Sequence, residues 1–208
     1  MTAGSIEKLF IFLRGLDIEN LVGVELPPSL STPNKNLKDC IHHNHSKYRM
    51  IPGQSTFIDI GSGYGKVVFH AKISADVSRS VGIEYVPARA QMAVKIQKDL
   101  IGNEMKDIGI LDDIAKTKLH DCSLYEGDAT AWESFEYSHV YMYDRVFSKN
   151  TLLLLAKKLN QSSYSVLISY RRLEEWKKLG LKSIQLVRSI TMRTTGGQNF
   201  KAYIFIRE

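Results

Sequence analysis

The stretch TFIDIGSGYGKVVFHAKI, from Thr56 to Ile73, places three glycines between two apolar segments. TFIDI is typical of a short buried strand, and YGKVVFHAKISA has the apolar spacing of a helix. Gly61, Gly63 and Gly65 lie where the strand would meet the helix, and their missing Cβ atoms let a ligand contact the main chain. The helix would direct the positive end of its dipole to the same place. The stretch therefore predicts a ligand-binding loop after the first strand of an α/β sheet.

Strands and helices alternate along the chain after this loop. The predicted strands are SVGIEY, CSLYEGD, SHVYMYD and YSVLISY, and the predicted helices are PARAQMAVKIQKDLIG, SKNTLLLLAKKLN and RLEEWKKLG. Pro87 suits a first helical turn, Ser148 suits an N-cap, and Gly180 suits a helix end. KSIQLVRSITMR and NFKAYIFIRE predict a hairpin around TTGGQ. The pattern predicts an α/β, Rossmann-like fold, with a mostly parallel seven-stranded sheet, helices on both faces and a C-terminal antiparallel hairpin.

The N-terminal quarter differs from the rest of the chain. SIEKLFIFLR, residues 5–14, has apolar side chains at helical spacing. Residues 23–54 are polar and proline-rich, which predicts a long loop with one helix around residues 34–48. We therefore expect an N-terminal helix and a lid over a cofactor or substrate in residues 1–54, and the α/β domain in residues 55–208.

The composition is that of a globular protein with a hydrophobic core, because 44% of the residues are hydrophobic and 24% are charged. No apolar run approaches the ~18 residues of a membrane span. The first residues lack a basic leader, so we expect no secretion signal. The two cysteines, Cys40 and Cys122, do not form a disulfide framework. This favours a reducing compartment such as the cytosol or nucleus.

The net charge of +6 is concentrated at the C-terminal end. Residues 171–208 contain nine Lys or Arg and three acids, whereas residues 1–170 are balanced. A basic region suits a nucleic acid or an acidic protein surface. The alternative interpretation is a solvated surface, because a charge of this size is common on globular domains.

Two cofactors compete for the glycine loop. A dinucleotide requires Gly-x-Gly-x-x-Gly, with its pyrophosphate at the helix N-terminus, whereas Gly61, Gly63 and Gly65 are spaced one residue too closely. Asp59 precedes the loop by two residues, and its carboxylate would repel a pyrophosphate. The same carboxylate would attract the sulfonium and amino group of S-adenosylmethionine. The loop therefore favours S-adenosylmethionine, and the alternative is an ordinary glycine-rich turn.

Two further acids follow this pattern at the ends of predicted strands. Glu84 ends the second strand, where a carboxylate can accept from both ribose hydroxyls. Asp128 follows the third strand and can accept from an adenine amino group, while the N–H of Ala129 can meet a ring nitrogen. Alone, Glu84 would be a surface acid and Asp128 part of an ordinary turn. Because the three sites lie at successive strand ends, together they predict a pocket for S-adenosylmethionine.

FIDIGSGYGKVVFHA, VGIEYVPARAQMA and LYEGDAT resemble the class I methyltransferases. More narrowly, they resemble the non-SET histone lysine methyltransferases of the disruptor-of-telomeric-silencing type, whose loop reads Asp-Leu-Gly-Ser-Gly-x-Gly-x-Val-Val. TTGG followed by AYIFIRE is similar to the final hairpin of that family, and GVEL, from Gly23 to Leu26, is similar to its upstream cofactor loop. The resemblance therefore covers roughly residues 20–208. It implies that Ser62 and, through GVEL, Glu25 contact the cofactor. It also implies methylation of a histone lysine on the nucleosome by a nuclear protein, with the cytoplasm as the alternative location.

The chain departs from that family after the fourth strand. The family pattern Asn-Asn-Phe aligns with Tyr143-Asp144-Arg145. We expect Asp144 and Tyr143 to be the catalytic residues, with Asp144 holding a lysine ammonium and steadying the sulfonium. A different nucleophile is the alternative. Tyr141 and Tyr143 alternate with Met142, so both should point to one face, either as a channel wall that attracts an ammonium or as a covered core face.

Other features leave the function open. Cys40, His42, His43 and His45 look like metal ligands but lack a second pair at finger spacing, so no metal is predicted. The basic C-terminal region fits a nucleosome or another acidic partner, with RNA as an alternative and no membrane. Three functions compete: a histone lysine methyltransferase, a methyltransferase for RNA or a non-histone protein, and a non-catalytic module that binds a partner. The intact glycine loop, Glu84 and Asp128 argue against the non-catalytic module, because such a module would be free to lose them.

Overall fold

The computed structural model describes residues 1–16, 47–102 and 111–208. The described helices are α1 (Ala3–Arg14), α2 (Lys66–Ile73), α3 (Pro87–Gly102), α4 (Asp113–His120), α5 (Lys149–Gln161) and α6 (Leu173–Lys178). Two short 3-10 turns, Ala129–Ala131 and Asp144–Val146, follow strands of the sheet. In the described ranges, no helix combines the length and the hydropathy that a membrane crossing requires.

One sheet of seven strands forms the centre of the fold. The strands are β1 (Thr56–Ile60), β2 (Arg79–Glu84), β3 (Cys122–Glu126), β4 (His139–Met142), β5 (Val166–Ser169), β6 (Ile184–Arg193) and β7 (Asn199–Arg207). Their order across the sheet is β3-β2-β1-β4-β5-β7-β6. β1 to β5 pair in parallel, and β7 pairs antiparallel with both β5 and β6. The predicted fold is confirmed, including the C-terminal hairpin.

The parallel strands give the sheet two different ends. β1 to β5 all finish at one end, which we call the carboxyl end; β6 also finishes there and β7 begins there. The opposite end is called the amino end. From β1 the chain adds β2 and β3 on one side and β4 and β5 on the other, so the strand order reverses between β1 and β4. Open α/β sheets bind ligands in the crevice at such a reversal.

Hydrophobic clusters cover both faces of the sheet. The cluster on one face contains α1 and part of α2, and the ring of Phe10 contacts that of Phe57 edge-on, with centroids 5.8 Å apart. The cluster on the other face contains α5 and Trp176 of α6. The predicted N-terminal helix is confirmed, and the four side chains that it buries completely are Ile6, Leu9, Phe10 and Leu13. α1 thus shares a core with β1, while the division of the chain at residue 54 stays a prediction.

Capping side chains define several helix ends. Ser148 caps α5 as predicted, because its hydroxyl accepts from the N–H of Thr151 at 3.1 Å. Asp112 caps α4 in the same way through the N–H of Ala115 at 2.6 Å. The sequence pattern does not predict α4. Only Ala115 and Leu119 of this helix are buried, so its apolar stripe is too narrow to produce a periodic signal.

Candidate cofactor site and active site

The glycine loop after β1 is hydrogen-bonded to the end of β2. The N–H groups of Gly61 and Ser62 both donate to the carbonyl of Ile83, at 2.8 and 3.0 Å. The N–H of Gly63 donates to Oε2 of Glu84 at 2.8 Å. The loop conformation is therefore set by the neighbouring strand as well as by its own glycines.

Glu84 holds this loop and faces a cavity at the same time. Its Oε1 accepts from the N–H of Val86 at 2.9 Å, and the side chain is buried. It lines a cavity of about 430 Å³ at the carboxyl end of the sheet. A carboxylate offers about four lone-pair positions, so two backbone hydrogen bonds leave acceptor capacity for ribose hydroxyls. This is the position that the sequence predicts for the ribose contact.

The predicted adenine contacts line the same cavity, which we call the larger cavity. Asp128 and Ala129 form its wall beside Glu84. Oδ1 of the exposed Asp128 accepts from the N–H and from the hydroxyl of Thr130, each at 2.8 Å, and these bonds fix the carboxylate. The ring of Phe147, in the turn after β4, adds apolar surface. The larger cavity therefore combines apolar walls with acceptors placed for a nucleoside.

A smaller cavity of about 210 Å³ lies on the other side of Gly61. Gly61 borders both cavities. An elongated ligand can therefore cross the main chain of the glycine loop and have one end in each cavity. The side chains that line the smaller cavity include Asp59, Ser62, Lys66, Tyr141, Tyr143 and Thr194.

Two glycines of the loop differ in the space around them. A Cβ atom on Gly61 would lie 2.9 Å from the ring of Phe147, so a larger residue would displace the ring. Gly63 has a φ of 56° and a Cβ atom there would meet no heavy atom within 4 Å. The protein leaves the space in front of Gly63 open, as a main-chain cradle requires.

Asp59 is the buried acid of the smaller cavity. It is 2% exposed, and its Oδ1 has no hydrogen-bond partner within the described structure. Burial, with a smaller contribution from the charge of Glu84, raises the pKa of Asp59 to about 8. Burying a polar atom without a partner costs free energy, and a cationic ligand group would relieve that cost. The surroundings of Asp59 fit the predicted contact with the amino group or sulfonium of the cofactor.

Asp144 lies in a buried network instead of at a cavity wall. Oδ2 accepts from the hydroxyl of Ser169 at 2.5 Å, and Oδ1 accepts from the N–H of Tyr170 at 2.8 Å. The Ser169 oxygen also accepts from the indole N–H of Trp176 at 2.7 Å. Burial raises the pKa of Asp144, while the two hydrogen bonds oppose the rise. This geometry differs from the expectation that Asp144 faces a substrate ammonium, because the side chain is completely buried and each of its oxygens accepts from a residue of the protein. Asp144 instead ties the turn after β4 to the end of β5.

Tyr143 lies at the wall of the smaller cavity, which corresponds to the first of the two alternatives that the sequence leaves open for it. Its ring centroid lies 4.9 Å from that of Tyr170 and 5.9 Å from that of Phe200. Tyr141 lines the same cavity but is buried, with its hydroxyl 3.0 Å from that of Tyr170. Burial raises the pKa values of Tyr141 and Tyr170, so both hydroxyls stay protonated at neutral pH. Tyr141 of β4 and Tyr143, which directly follows β4, both line the smaller cavity, with Tyr141 in the core and Tyr143 at the opening.

The sequence does not predict several residues that line the cavities, including Lys66, Phe147 and Thr194. Lys66 directly follows the last glycine, and its position at the start of α2 was a usable signal. Phe147 follows β4 by five residues and its role depends on the turn that begins at Asp144. Thr194 belongs to the hairpin turn, and only the pairing of β6 with β7 brings it to the carboxyl end of the sheet.

Some predicted site residues lie outside the described residues. They are Glu25 and the cluster of Cys40, His42, His43 and His45. Within residues 1–16, 47–102 and 111–208, no group of three or more His, Cys, Asp or Glu is arranged to hold a metal ion.

The sequence model of the family described as Histone methylation protein DOT1 matches residues 37–131. The match includes the glycine loop, Glu84 and Asp128. The resemblance predicted from these motifs is therefore confirmed over that part of the chain. A search of curated proteins gives no match.

Solved methyltransferase structures share the fold. The RNA methyltransferase from Salinibacter ruber, in complex with S-adenosyl-L-homocysteine, has 17% identity and a TM-score of 0.50, covering 85% of this chain and 94% of its own. An uncharacterized protein from Listeria monocytogenes has 14% identity and a TM-score of 0.53, covering 85% and 69%. TrmN from Thermus thermophilus has 13% identity and a TM-score of 0.51, covering 76% and 45%. At these identities the likeness is one of fold, and the chain has the class I methyltransferase fold.

Gly63→Val should abolish cofactor binding while the chain stays folded. The valine side chain would fill the open space in front of the loop, and the positive φ would cost about 1–2 kcal/mol. Calorimetry with S-adenosylhomocysteine measures binding, and urea unfolding measures stability. Gly53→Val is the matched control, because Gly53 also has a positive φ and open space but precedes β1 at the amino end. Wild-type affinity in Gly63→Val would contradict the loop assignment.

Asp59→Asn should stabilise the cofactor-free protein and weaken cofactor binding. Unfolded Asp59 loses its proton near pH 3.8, whereas the folded protein keeps it until about pH 8. Wild-type stability should therefore fall as pH rises between these values, and the variant should escape that loss. Above pH 7 we expect the variant to be more stable by more than about 1.4 kcal/mol, the equivalent of one pKa unit. Urea unfolding from pH 5 to pH 8 tests this, and parallel curves would contradict it.

Asp144→Ala should lower the unfolding free energy by about 1–3 kcal/mol, because it leaves buried donors of Ser169 and Tyr170 unpaired. Ser169→Ala should have an effect of similar size, and the double variant should lose less than the sum of the two. Chemical denaturation of the four proteins measures this coupling. A large loss of turnover in Asp144→Ala, with full stability and no coupling to Ser169, would instead indicate direct contact with the substrate.

Proposed function

We propose that the chain is an S-adenosylmethionine-dependent methyltransferase whose acceptor is a lysine side chain of a nucleosomal histone. One observation carries the methyltransferase part: two cavities meet over Gly61, and each contains an acid where the cofactor has a hydrogen-bond donor. The match of residues 37–131 to the histone methylation family supports the choice of acceptor. A nuclear location follows from that acceptor and is part of the proposal.

The residues present fit the cofactor along its length. S-adenosylmethionine supplies an electrophilic methyl group on its sulfonium. Glu84 would accept from the ribose hydroxyls, and Asp128 with Ala129 would hold the adenine in the larger cavity. Asp59 would hold the ammonium in the smaller cavity. Because the glycine loop is already bonded to Ile83 and Glu84, little ordering is left for binding, which favours affinity.

The acceptor lysine would enter the smaller cavity beside Tyr143. A lysine must lose a proton before it attacks, and its ordinary pKa is about 10.4. The rings of Tyr141 and Tyr143 in the wall of the smaller cavity offer a poorly hydrated surface that would lower this pKa. The same rings attract an ammonium group on its way in. Asp144 would act indirectly, by fixing the turn that carries Tyr143, so that the nucleophile is aligned at near-attack distance.

The two competing functions have weaker support. RNA is the acceptor class of the Salinibacter ruber enzyme, but that likeness is one of fold. A non-catalytic module that still binds the cofactor would not need an open cavity beside Tyr143 for an acceptor. The aromatic wall of the smaller cavity also supports a lysine acceptor, because aromatic rings attract an ammonium group.

Labelled S-adenosylmethionine, offered separately to nucleosomes, free histones and RNA, tests the proposal. We expect label on histone in nucleosomes, in a product that releases methyllysine on hydrolysis. Label on RNA alone would overturn the choice of acceptor. Cofactor binding without transfer to any acceptor would favour the non-catalytic module. Gly63→Val should transfer no label, because it should not bind the cofactor. Gly53→Val is the matched control and should transfer label like the wild type.

A further inference from the structure

Tyr170, which directly follows β5, contacts three residues at the end of β4. Its hydroxyl oxygen lies 3.0 Å from that of Tyr141, and its ring centroid lies 4.9 Å from that of Tyr143. Its N–H donates to Oδ1 of Asp144 at 2.8 Å. Tyr170 therefore holds the end of β4 and the following turn through both its side chain and its main chain.

These contacts begin where the pairing of β4 with β5 ends. The last partners in that ladder are Tyr141 and Ile168, so Tyr143 and Asp144 have no ladder partner on β5. Beyond the end of a ladder, side-chain and capping contacts must hold the chain instead. Tyr170 supplies such contacts to both residues that follow the ladder. The position of Tyr143 relative to β5 therefore depends on Tyr170.

Tyr170 lies behind the aromatic wall of the smaller cavity. Tyr141 and Tyr143 line that cavity, whereas Tyr170, within the described structure, lines neither cavity and is 2% exposed. Its ring meets the rings of Tyr141 and Tyr143 edge-on, with interplanar angles of 85° and 75°. Aromatic pairs favour this edge-to-face geometry. Tyr170 thus orients both rings of the wall from a position that an acceptor does not reach.

The hydroxyls of Tyr141 and Tyr170 form a buried hydrogen bond. Leaving one member of a buried polar pair without its partner costs more free energy than removing both members. A shift of the Tyr141 ring away from Tyr170 would break this bond and leave two buried hydroxyls unpaired. The hydroxyl pair therefore fixes the position of Tyr141 in the cavity wall.

We infer that Tyr170 is a positioning residue for methyl transfer, which holds the rings of Tyr141 and Tyr143 so that the acceptor nitrogen is directed at the methyl group. The inference rests on the proposed function, because it requires an acceptor in the smaller cavity. Transfer needs the reacting atoms at near-attack distance, and a misplacement of ~1 Å can cost ~100-fold in rate. A small shift of the wall would therefore lower turnover without preventing the acceptor from binding.

Tyr170→Phe tests the inference, because it removes the hydroxyl and keeps the ring. We expect kcat to fall by about 10-fold, less than for a misplacement of ~1 Å. The KM for the acceptor and the affinity for S-adenosylhomocysteine should stay close to the wild-type values. A loss confined to kcat indicates that an interaction made in the transition state has been removed. Transfer of labelled methyl measures kcat and KM, and calorimetry measures binding of S-adenosylhomocysteine.

Tyr164→Phe is the matched control. Tyr164 precedes β5 at the amino end of the sheet, is 3% exposed, and has the guanidinium carbon of Arg207 5.0 Å from its ring centroid. The control therefore removes the same group from a similar depth at the other end of the same strand. We expect Tyr164→Phe to turn over like the wild type, with urea unfolding recorded for both variants. An equal loss of kcat in the two variants would overturn the inference, because a general loosening of the fold would then explain both.

A second comparison combines Tyr170→Phe with Tyr141→Phe. Both single variants and the double variant lack the same hydrogen bond, so kcat should fall by the same factor in all three. The double variant should recover stability, because it leaves no hydroxyl of the pair unpaired. Turnover that recovers together with stability would overturn the inference, since the bond would then have a structural role alone. Unchanged kcat in Tyr170→Phe would overturn it as well.

The wild type tests the proposed function, and the ratio of variant to wild-type kcat tests the inference. The ratio is measured on whichever of nucleosomes, free histones and RNA the wild type labels. A wild type that labels RNA alone would overturn the choice of acceptor, while the ratio would still decide the role of Tyr170. A wild type that labels none of them would overturn both, because no acceptor would then enter the smaller cavity.

Discussion

The hydrogen bonding of the glycine loop to the end of β2 is the constraint on which the site depends. Gly61 and Ser62 donate to one carbonyl, that of Ile83, and Gly63 donates to the carboxylate of Glu84. These bonds hold bare main chain at the point where the strand order reverses. They also place Glu84 at the boundary of the larger cavity, so the acid that would contact a ribose is the acid that orders the loop. A change in the end of β2 would therefore alter both cavities.

Two buried aspartates at the carboxyl end of the sheet have opposite environments. Each oxygen of the completely buried Asp144 accepts one hydrogen bond, from Ser169 or Tyr170, and the carboxylate stabilises the connection between β4 and β5. Asp59 keeps an oxygen without a partner, and burial raises its pKa into the neutral range. Structural acids are normally paired when buried, because the desolvation of an unpaired group is costly. Asp59, whose Oδ1 has no hydrogen-bond partner within the described structure, is therefore the aspartate that suits contact with a ligand.

The hairpin of β6 and β7 contributes to the site as well as to the sheet. Its antiparallel return brings Thr194 to the smaller cavity and Phe200 to Tyr143. It also carries positive charge to both ends of the sheet, because Arg193 and Lys201 lie at the carboxyl end and Arg207 lies at the amino end. A net charge of +6 therefore does not locate a binding surface until the strand directions are known.

The sequence by itself determined the fold class, the glycine loop and the acids at three strand ends, because these depend on local spacing and on the strict alternation of strands and helices. The sequence also predicts the helix cap Ser148, because a cap lies directly before the first residue of its helix. Only the tertiary structure decided the role of Asp144, because its partner Ser169 is 25 residues away and belongs to another strand. The same holds for α4, whose narrow apolar stripe left no periodic signal, and for Arg145 and Lys201, which parallel and antiparallel pairing bring to one end of the sheet. Loops, caps and strand-end acids depend on residues that are adjacent in the sequence, so the sequence predicts them. Contacts between charged and hydrogen-bonding groups that are distant in the sequence depend on how the strands pair, so only the tertiary structure determines them.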